Sequence, residues 1–332
     1  MTTYYITGLG GFVGCNLLNE LKGEKIIAFI LPSERNISYL QNKDITLVEG
    51  NILNKDDVYR FLSTKGEGKK VLVHAAGRIT TLKHGDPLTM SINFEGTKNI
   101  VDVMNEIGGF DKFVYVSSVD AMPRMKGTDE ISEVSYYDID KVEGAYSKSK
   151  VLASNYVLDN SKVNSTIVLP SAIMGPNDPR LAPINNAIKK FINKKLPAIT
   201  SGGYNIVDVR DVAKGIKLAI DKGRDKESYL LTGEYISVKD LIALAASTTN
   251  TKPIKRKVPH FLIKIASPFI SLHAKIHHKT PLFTGFSMDC LKQNSFYINK
   301  KAKDELGYTS RPLKETMVDT IKWMKESGYL EK

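Results

Sequence analysis

The residues best suited to chemistry in this 332-residue chain are Tyr146, Lys150 and the serine pair Ser117-Ser118. Tyr146 and Lys150 lie in the run YSKSK. On a helix, residues four apart share one face. A phenol titrates at about 10 in water. A neighbouring ammonium favours the phenolate and brings the group toward proton transfer at neutral pH. Ser117 and Ser118 follow the apolar run FVYV, which reads as a strand. They therefore fall at a carboxyl end, where open α/β sheets bind ligands, and a hydroxyl there can donate to a substrate oxygen. Each feature also has a plain structural reading: a surface tyrosine beside a solvated lysine, and serines that only turn the chain.

Chemistry of this kind needs a partner, and the N-terminal stretch YYITGLGGFVGCNLL supplies a place for one. A GxGxxG fingerprint would need glycines at 8, 10 and 13, but position 13 is Val13. The spacing TGxxGxxG is satisfied instead by Gly8, Gly11 and Gly14, leaving Gly10 as local turn freedom. Glycines allow close backbone approach, and the helix that follows offers free N–H groups to a pyrophosphate. No Gly-Lys-Ser/Thr follows, so the turn is not a P-loop.

The elements that must hold these residues alternate. TYYITG, KIIAFIL, ITLVEGNI, VLVHAAG, KFVYVSS and STIVLP read as strands. FVGCNLLNELKG, KDDVYRFLS, MSINFEGTKNIVDVMNEIG and AYSKSKVLASNYVLDN read as helices. Strands alternating with helices imply right-handed crossovers and a parallel sheet covered on both faces. The expected fold class is α/β: a doubly wound, Rossmann-like parallel sheet with a smaller, mostly helical C-terminal substrate domain. The rhythm changes after Pro170. Residues 1–170 are read as the nucleotide-binding domain, with 204–233 returning to it. Residues 171–203 and 234–332 are read as the substrate-binding part.

Taken together, these features resemble the extended branch of the short-chain dehydrogenase/reductase superfamily, with its NAD-dependent epimerase/dehydratase and dihydroflavonol-reductase-like proteins. The resemblance spans essentially the whole chain. It rests on TGxxGxxG, GNI at Gly50-Ile52, HAAG at His74-Gly77, Asn93 in INFEGT, the Ser117-Ser118 pair and YSKSK. LPSAIMGP at Leu169-Pro176 is similar to RPxxVYGP, and VDVRDVA at Val207-Ala213 to VxDVA. It implies that Tyr146 is the general acid/base, that Lys150 lowers its pKa and binds the nicotinamide ribose, and that Ser118 rather than Ser117 polarises the substrate. It implies cofactor contacts at Gly8, Gly11, Phe12, Val13, Gly14, Asn51, Ile52, His74, Ala75, Ala76, Gly77, Asn93, Pro170 and Ile173. It also implies a homodimer built on helices near 94–107 and 146–159. Asn51 stands where an Asp is usual, and Leu169 and Met174 replace the Arg and Tyr of RPxxVYGP. The last two changes argue against a sugar-nucleotide substrate. At the end of the second strand, Glu34 could serve NAD, while Ser33 and Arg35 could hold a 2′-phosphate. The reading leans slightly to NADP.

Composition limits what else the chain could be. Apolar content of 42% and charged content of 25% suit a globular protein. Cys15 and Cys290 form no CxxC pair, so neither a disulfide framework nor a zinc or other metal site is expected. Strand pattern from Thr3 onward leaves no room for a signal peptide, and a cytoplasmic protein is expected. The net charge of +11 is uneven, since Thr251 to Met288 contains no Asp or Glu but seven lysines and arginines. This basic stretch reads as a solvated face, a lid, or a membrane-surface segment over 258–279. No nucleic-acid motif accompanies it, and it is too short and interrupted to span a membrane. Three functions follow: an NAD(P)-dependent oxidoreductase acting on a carbonyl or alcohol, a sugar-nucleotide epimerase or dehydratase, or a non-catalytic nucleotide sensor.

Overall fold

In the computed structural model, which describes residues 1–80, 83, 87–123, 127, 129–254, 256–259 and 285–331, strand β1 (Thr2–Thr7) sets the pattern for the large sheet. Its side chains alternate between two cores, because successive residues of a strand point to opposite faces. Tyr5 packs with Phe61, Leu72 and Phe113 on one side, while Tyr4 and Ile6 pack with Leu17, Val71 and Val73 on the other. Both faces are covered, so the central strands are buried over most of their length.

The chain adds β2 (Lys25–Ile30), β3 (Ile45–Glu49), β4 (Lys69–His74), β5 (Lys112–Val116), β6 (Ser165–Pro170), β7 (Ala172–Met174), β8 (Gly203–Asp208), β9 (Glu227–Leu231) and β10 (Glu234–Ser237). Seven of them form one sheet in the order β3-β2-β1-β4-β5-β6-β9, every pair parallel. Between β1 and β4 the strand order reverses, which opens a crevice at the carboxyl ends of both strands. Helices α1 (Phe12–Glu20), α2 (Lys55–Ser63), α3 (Pro87–Met90), α4 (Gly96–Ile107) and α5 (Ala145–Asn160) precede the small lobe. Of these, α2, α4 and α5 cover the Tyr5 side. On the other side α1 packs against α7 (Val209–Lys222).

The small lobe is built from α6 (Pro183–Ile192), α8 (Val238–Thr249), α9 (Gly285–Leu291), α10 (Leu313–Glu326) and a three-stranded sheet, β10-β8-β7. Its core joins Met174, Ile188, Ile206, Leu241 and Met317. Residues 204–233 divide between the two bodies. β9 is the last strand of the large sheet and α7 lies on its face. Contrary to the reading that the whole stretch returns there, β8 is the central strand of the small sheet. Alternation explains this position: Ile206 faces the lobe core and Val207 the core under α7.

On the two helices expected to build a dimer, Ile100, Val103, Met104 and Val151 are buried against the large sheet. Residues 260–284, with most of the basic 258–279 stretch, lie outside the described residues. No helix among the described residues is long and apolar enough to cross a membrane.

Candidate active site

The glycine turn joins β1 to α1 at the crevice. Gly8 takes φ +75°, and a Cβ there would lie 2.6 Å from the Ala76 nitrogen and 2.7 Å from the Ala75 carbonyl carbon. A side chain is excluded by both backbone conformation and space. Gly11 is the N-cap of α1 and donates its N–H to the Gly8 carbonyl at 3.0 Å. Gly14 is a packing residue: a Cβ would fall 2.3 Å from the Gly8 oxygen and 2.6 Å from the Leu9 α-carbon. The turn therefore presents bare backbone at the mouth of a helix, the arrangement that receives a pyrophosphate.

A cavity of about 970 Å³ begins at Gly8, Gly11 and Phe12, passes Ala75, Ala76 and Gly77, and continues into the small lobe. Asn51 and Ile52 also line it. Asn51 has a structural task as well, since its Oδ1 accepts from the Leu53 N–H at 3.0 Å. In the lobe the wall is largely hydrocarbon, with Ile184, Leu196, Ile199, Leu241, Ile242 and Met288. Such a cleft between a sheet's switch point and a second lobe has the size and character of a small-molecule site. The residues fit a dinucleotide: a glycine turn for the phosphates and a slot at Asn51-Ile52 along the same wall.

Ser118, Tyr146 and Lys150 themselves lie outside the cavity lining, and this group expected to do chemistry centres on α5. Its N-cap Gly144 takes φ +91° beneath the ring of Phe286 from α9. Lys150 is buried, and its Nζ donates to the Val116 carbonyl at 2.8 Å and to the Tyr115 hydroxyl at 3.3 Å, above the Tyr115 ring. A Cβ on Gly77 would be 3.5 Å from that Nζ, so the cavity wall at Gly77 backs directly onto the ammonium. Burial pulls the Lys150 pKa down to about 7. Tyr146 behaves differently from the sequence-based expectation. Burial and the negative charge of Asp120 hold its phenol above the ordinary value, against a lowering hydrogen bond from Ser118. The Lys150 ammonium bonds Val116 and Tyr115 and is not among the groups that shift the phenol.

The two serines separate cleanly. Ser117 hydrogen-bonds the buried Ser154 hydroxyl at 2.8 Å and is spent tying β5 to α5. Ser118 bonds Tyr146, accepts from the Asp120 N–H at 3.1 Å and donates to its carboxylate at 3.3 Å. Asp120 also raises Tyr204, a cavity-wall tyrosine pushed by burial, then by Cys290 and Asp120, to about 12.

Several residues expected to contact a cofactor do something else. His74 is fully buried, with Nδ1 2.6 Å from the Thr7 hydroxyl and Nε2 3.0 Å from that of Thr97. Burial, helped by the charge of Lys150, pulls its pKa down to about 3, so the ring is a neutral strut. Asn93 is aimed by a π-turn (Ser91–Glu95), a distortion frequent at functional sites. Its side chain clamps both backbone polar groups of Arg78 at 2.7 and 2.9 Å and donates to Ser149 at 3.0 Å. Asn93 therefore positions the Gly77-Arg78 wall rather than touching the cavity. Arg35 is outside the cavity lining and pairs with Glu49 at 3.2 Å. Val13, Pro170 and Ile173 are outside the cavity lining, and Ile173 is paired with Val207 in the small sheet. Sequence reasoning missed Asp120, the hydrocarbon wall and Arg180. No spacing signal pointed to them; only the fold brings them together.

Comparisons with known proteins agree with this architecture. Residues 4–231 match the NAD dependent epimerase/dehydratase family. A Synechocystis sp. protein named for dihydroflavonol 4-reductase is 30% identical over 99% of this chain and 96% of its own. Sterol demethylase protein B of Methylococcus capsulatus is 26% identical over 99% of this chain and 100% of its own. The crystal structure of gox2253 superimposes with a TM-score of 0.83 at 29% identity, covering 99% of each chain. With its all-parallel seven-stranded sheet, its TGxxGxxG turn and these relatives, the chain belongs to the NAD-dependent epimerase/dehydratase family, within the extended short-chain dehydrogenase/reductase enzymes.

Proposed function

We propose that this enzyme interconverts a ketone and a secondary alcohol on a bulky apolar substrate, using a nicotinamide dinucleotide as redox partner. The observation that carries the reading is the hydrocarbon wall that the small lobe adds to the cavity that begins at the glycine turn. A nucleoside diphosphate sugar needs many polar partners, whereas Ile184, Leu196, Ile199, Leu241, Ile242 and Met288 reward burial of apolar surface, at about 25 cal/mol per Å². The Methylococcus relative is named for sterol chemistry, which suits a rigid apolar substrate.

The residues divide the work as follows. Gly8, Gly11 and the α1 N-terminus receive the pyrophosphate. Lys150, behind Gly77, reaches the nicotinamide ribose. When bound, the dinucleotide supplies or accepts the hydride at the substrate carbon. Ser118 donates to the substrate oxygen and holds it against Tyr146. In reduction, the Tyr146 hydroxyl gives its proton to that oxygen as the carbon gains hydride, and the alcohol forms. In oxidation, the phenolate removes the alcohol proton as hydride leaves the carbon, and the ketone forms. Burial keeps Tyr146 protonated in the free enzyme, which is the form that reduction requires.

The test is a paired assay with purified enzyme. A 3β-hydroxysteroid with oxidised dinucleotide should give net formation of reduced dinucleotide, and UDP-glucose should yield neither epimer nor net redox change. Epimerisation of the sugar nucleotide without steroid turnover would overturn the reading.

A further inference from the structure

The adenosine end of the groove holds an acid and a base from opposite sides of the cleft. Glu34 lies twenty residues beyond Gly14, the spacing at which Rossmann folds present a carboxylate to the ribose 2′-hydroxyl. Its side chain is only 11% exposed and lines the cavity. Oε2 accepts the Leu31 N–H at 3.1 Å. The carboxylate is pressed against the glycine turn: a Cβ on Gly10 would sit 2.8 Å from Oε1 and 3.3 Å from Oε2. Nothing larger than glycine fits there while Glu34 keeps this place.

Arg180 reaches Glu34 from the segment between β7 and α6, which belongs to the substrate side. Its Nη2 donates to Glu34 Oε1 at 2.5 Å. The backbone beneath it is fixed. Asn16 Nδ2 donates to the Pro176 carbonyl at 3.3 Å, and the Cys15 thiol to that of Asn177 at 2.9 Å. The Asp178 carboxylate accepts from Arg180 N–H at 3.3 Å, Ala182 N–H at 2.6 Å and Asn185 Nδ2 at 2.9 Å. In contrast, the Arg180 side chain is 67% exposed, so a fixed base carries a guanidinium with free donors. Arg180 lines the cavity with Glu34, Gly8 and Gly11, and Arg35 does not.

We infer that Arg180 is the 2′-phosphate-recognising residue of this cofactor site, and that the Glu34–Arg180 pair lets one groove take both dinucleotides, NAD through Glu34 and NADP through Arg180. A lone carboxylate at this position repels a 2′-phosphate and selects NAD. A guanidinium already bonded to that carboxylate neutralises it and still has donors for a phosphate oxygen, because its planar fork serves two acceptors at once. The sequence pointed to Ser33 and Arg35 for this role, and the fold gives it to a residue 146 positions away.

Calorimetric titration with NAD+ and NADP+ tests the inference without any substrate, so its failure is separable from failure of the proposed reaction. A charge-assisted hydrogen bond is worth about 1.5–3 kcal/mol, or roughly 10- to 100-fold in affinity. Arg180→Ala should weaken NADP+ by about tenfold or more and NAD+ by less than about threefold. Retained NAD+ binding also shows that the variant is folded. Glu34→Gln should strengthen NADP+ by about tenfold, and Arg180→Ala should abolish that gain in the double variant. Arg35→Ala should leave NADP+ within about twofold. An equal loss of both dinucleotides in Arg180→Ala, or a loss of NADP+ that follows Arg35 instead, would overturn the assignment.

Discussion

The glycine turn separates two demands that glycine meets, and a pair of alanine substitutions tells them apart. At Gly14 a new Cβ meets the Gly8 oxygen at 2.3 Å and the Leu9 α-carbon at 2.6 Å. Both are backbone atoms, and Gly8 is itself wedged against Ala75 and Ala76. Overpacking of this kind costs about 1–3 kcal/mol, and rigid backbone places Gly14→Ala at about 3 kcal/mol. Unfolding entropy of about 2.1 cal/mol/K per residue over this chain gives about 0.7 kcal/mol/K, so Tm should fall by about 4 °C. At Gly11 the nearest atom is 3.2 Å away, and φ −93° with ψ 176° suits any residue. Gly11→Ala should therefore cost about 1 kcal/mol for a poorer N-cap, or 1–2 °C. Its methyl instead stands where a pyrophosphate must approach the helix, and NAD+ should bind about 30-fold more weakly. Calorimetric melting and NAD+ titration of both variants measure the split. A Gly14→Ala protein as stable as the parent, or a Gly11→Ala protein that binds NAD+ normally, would refute this division.

Three further outcomes follow from the buried groups around it. Lys150, held at about 7 by burial, must be charged to bond a ribose, so NAD+ affinity should fall as pH rises from 7 to 9, and Lys150→Met should lose that dependence. His74 has a folded pKa of about 3 against 6.5 unfolded. Its contribution to stability is thus complete above about 6.5 and is lost as pH falls toward 3, because the unfolded chain binds the proton. In thermal melts across that window, His74→Gln should flatten the acid limb; an unchanged limb would remove His74 as its cause. Ser118→Ala should lower kcat by about 10²–10³ while Tm stays close to the parent's, whereas Ser117→Ala, which breaks the bond to Ser154, should lower Tm and spare kcat.

Much of the fold was legible because its signals are local. The alternation of apolar runs and amphipathic helices, the TGxxGxxG spacing and the four-residue step from Tyr146 to Lys150 each concern neighbours along the chain. The choice of Ser118 over Ser117 came with the family resemblance, not with any local signal. What stayed hidden depends on distant partners. His74 belongs to the core because Thr7 and Thr97 close around its ring, and Asn93 turns away from the cavity to clamp Arg78. Lys150 lies four residues from Tyr146, yet Val116 and Tyr115 decide where its ammonium goes. The lean to NADP came from reading Ser33 and Arg35 beside Glu34 in sequence. The pairing of Arg35 with Glu49 and of Glu34 with Arg180 reassigns those charges. Likewise, the hydrocarbon wall draws on α6, α8 and α9, segments that no single motif joins.

Proton transfer by Tyr146 is the central claim, and Tyr146→Phe tests it most directly because the ring and its packing remain. Single-turnover reduction of a 3-ketosteroid by reduced dinucleotide should slow by about 10³-fold, within the usual worth of a general acid, while dinucleotide affinity measured by titration is unchanged. Hydride transfer at the parent rate in Tyr146→Phe would contradict the account.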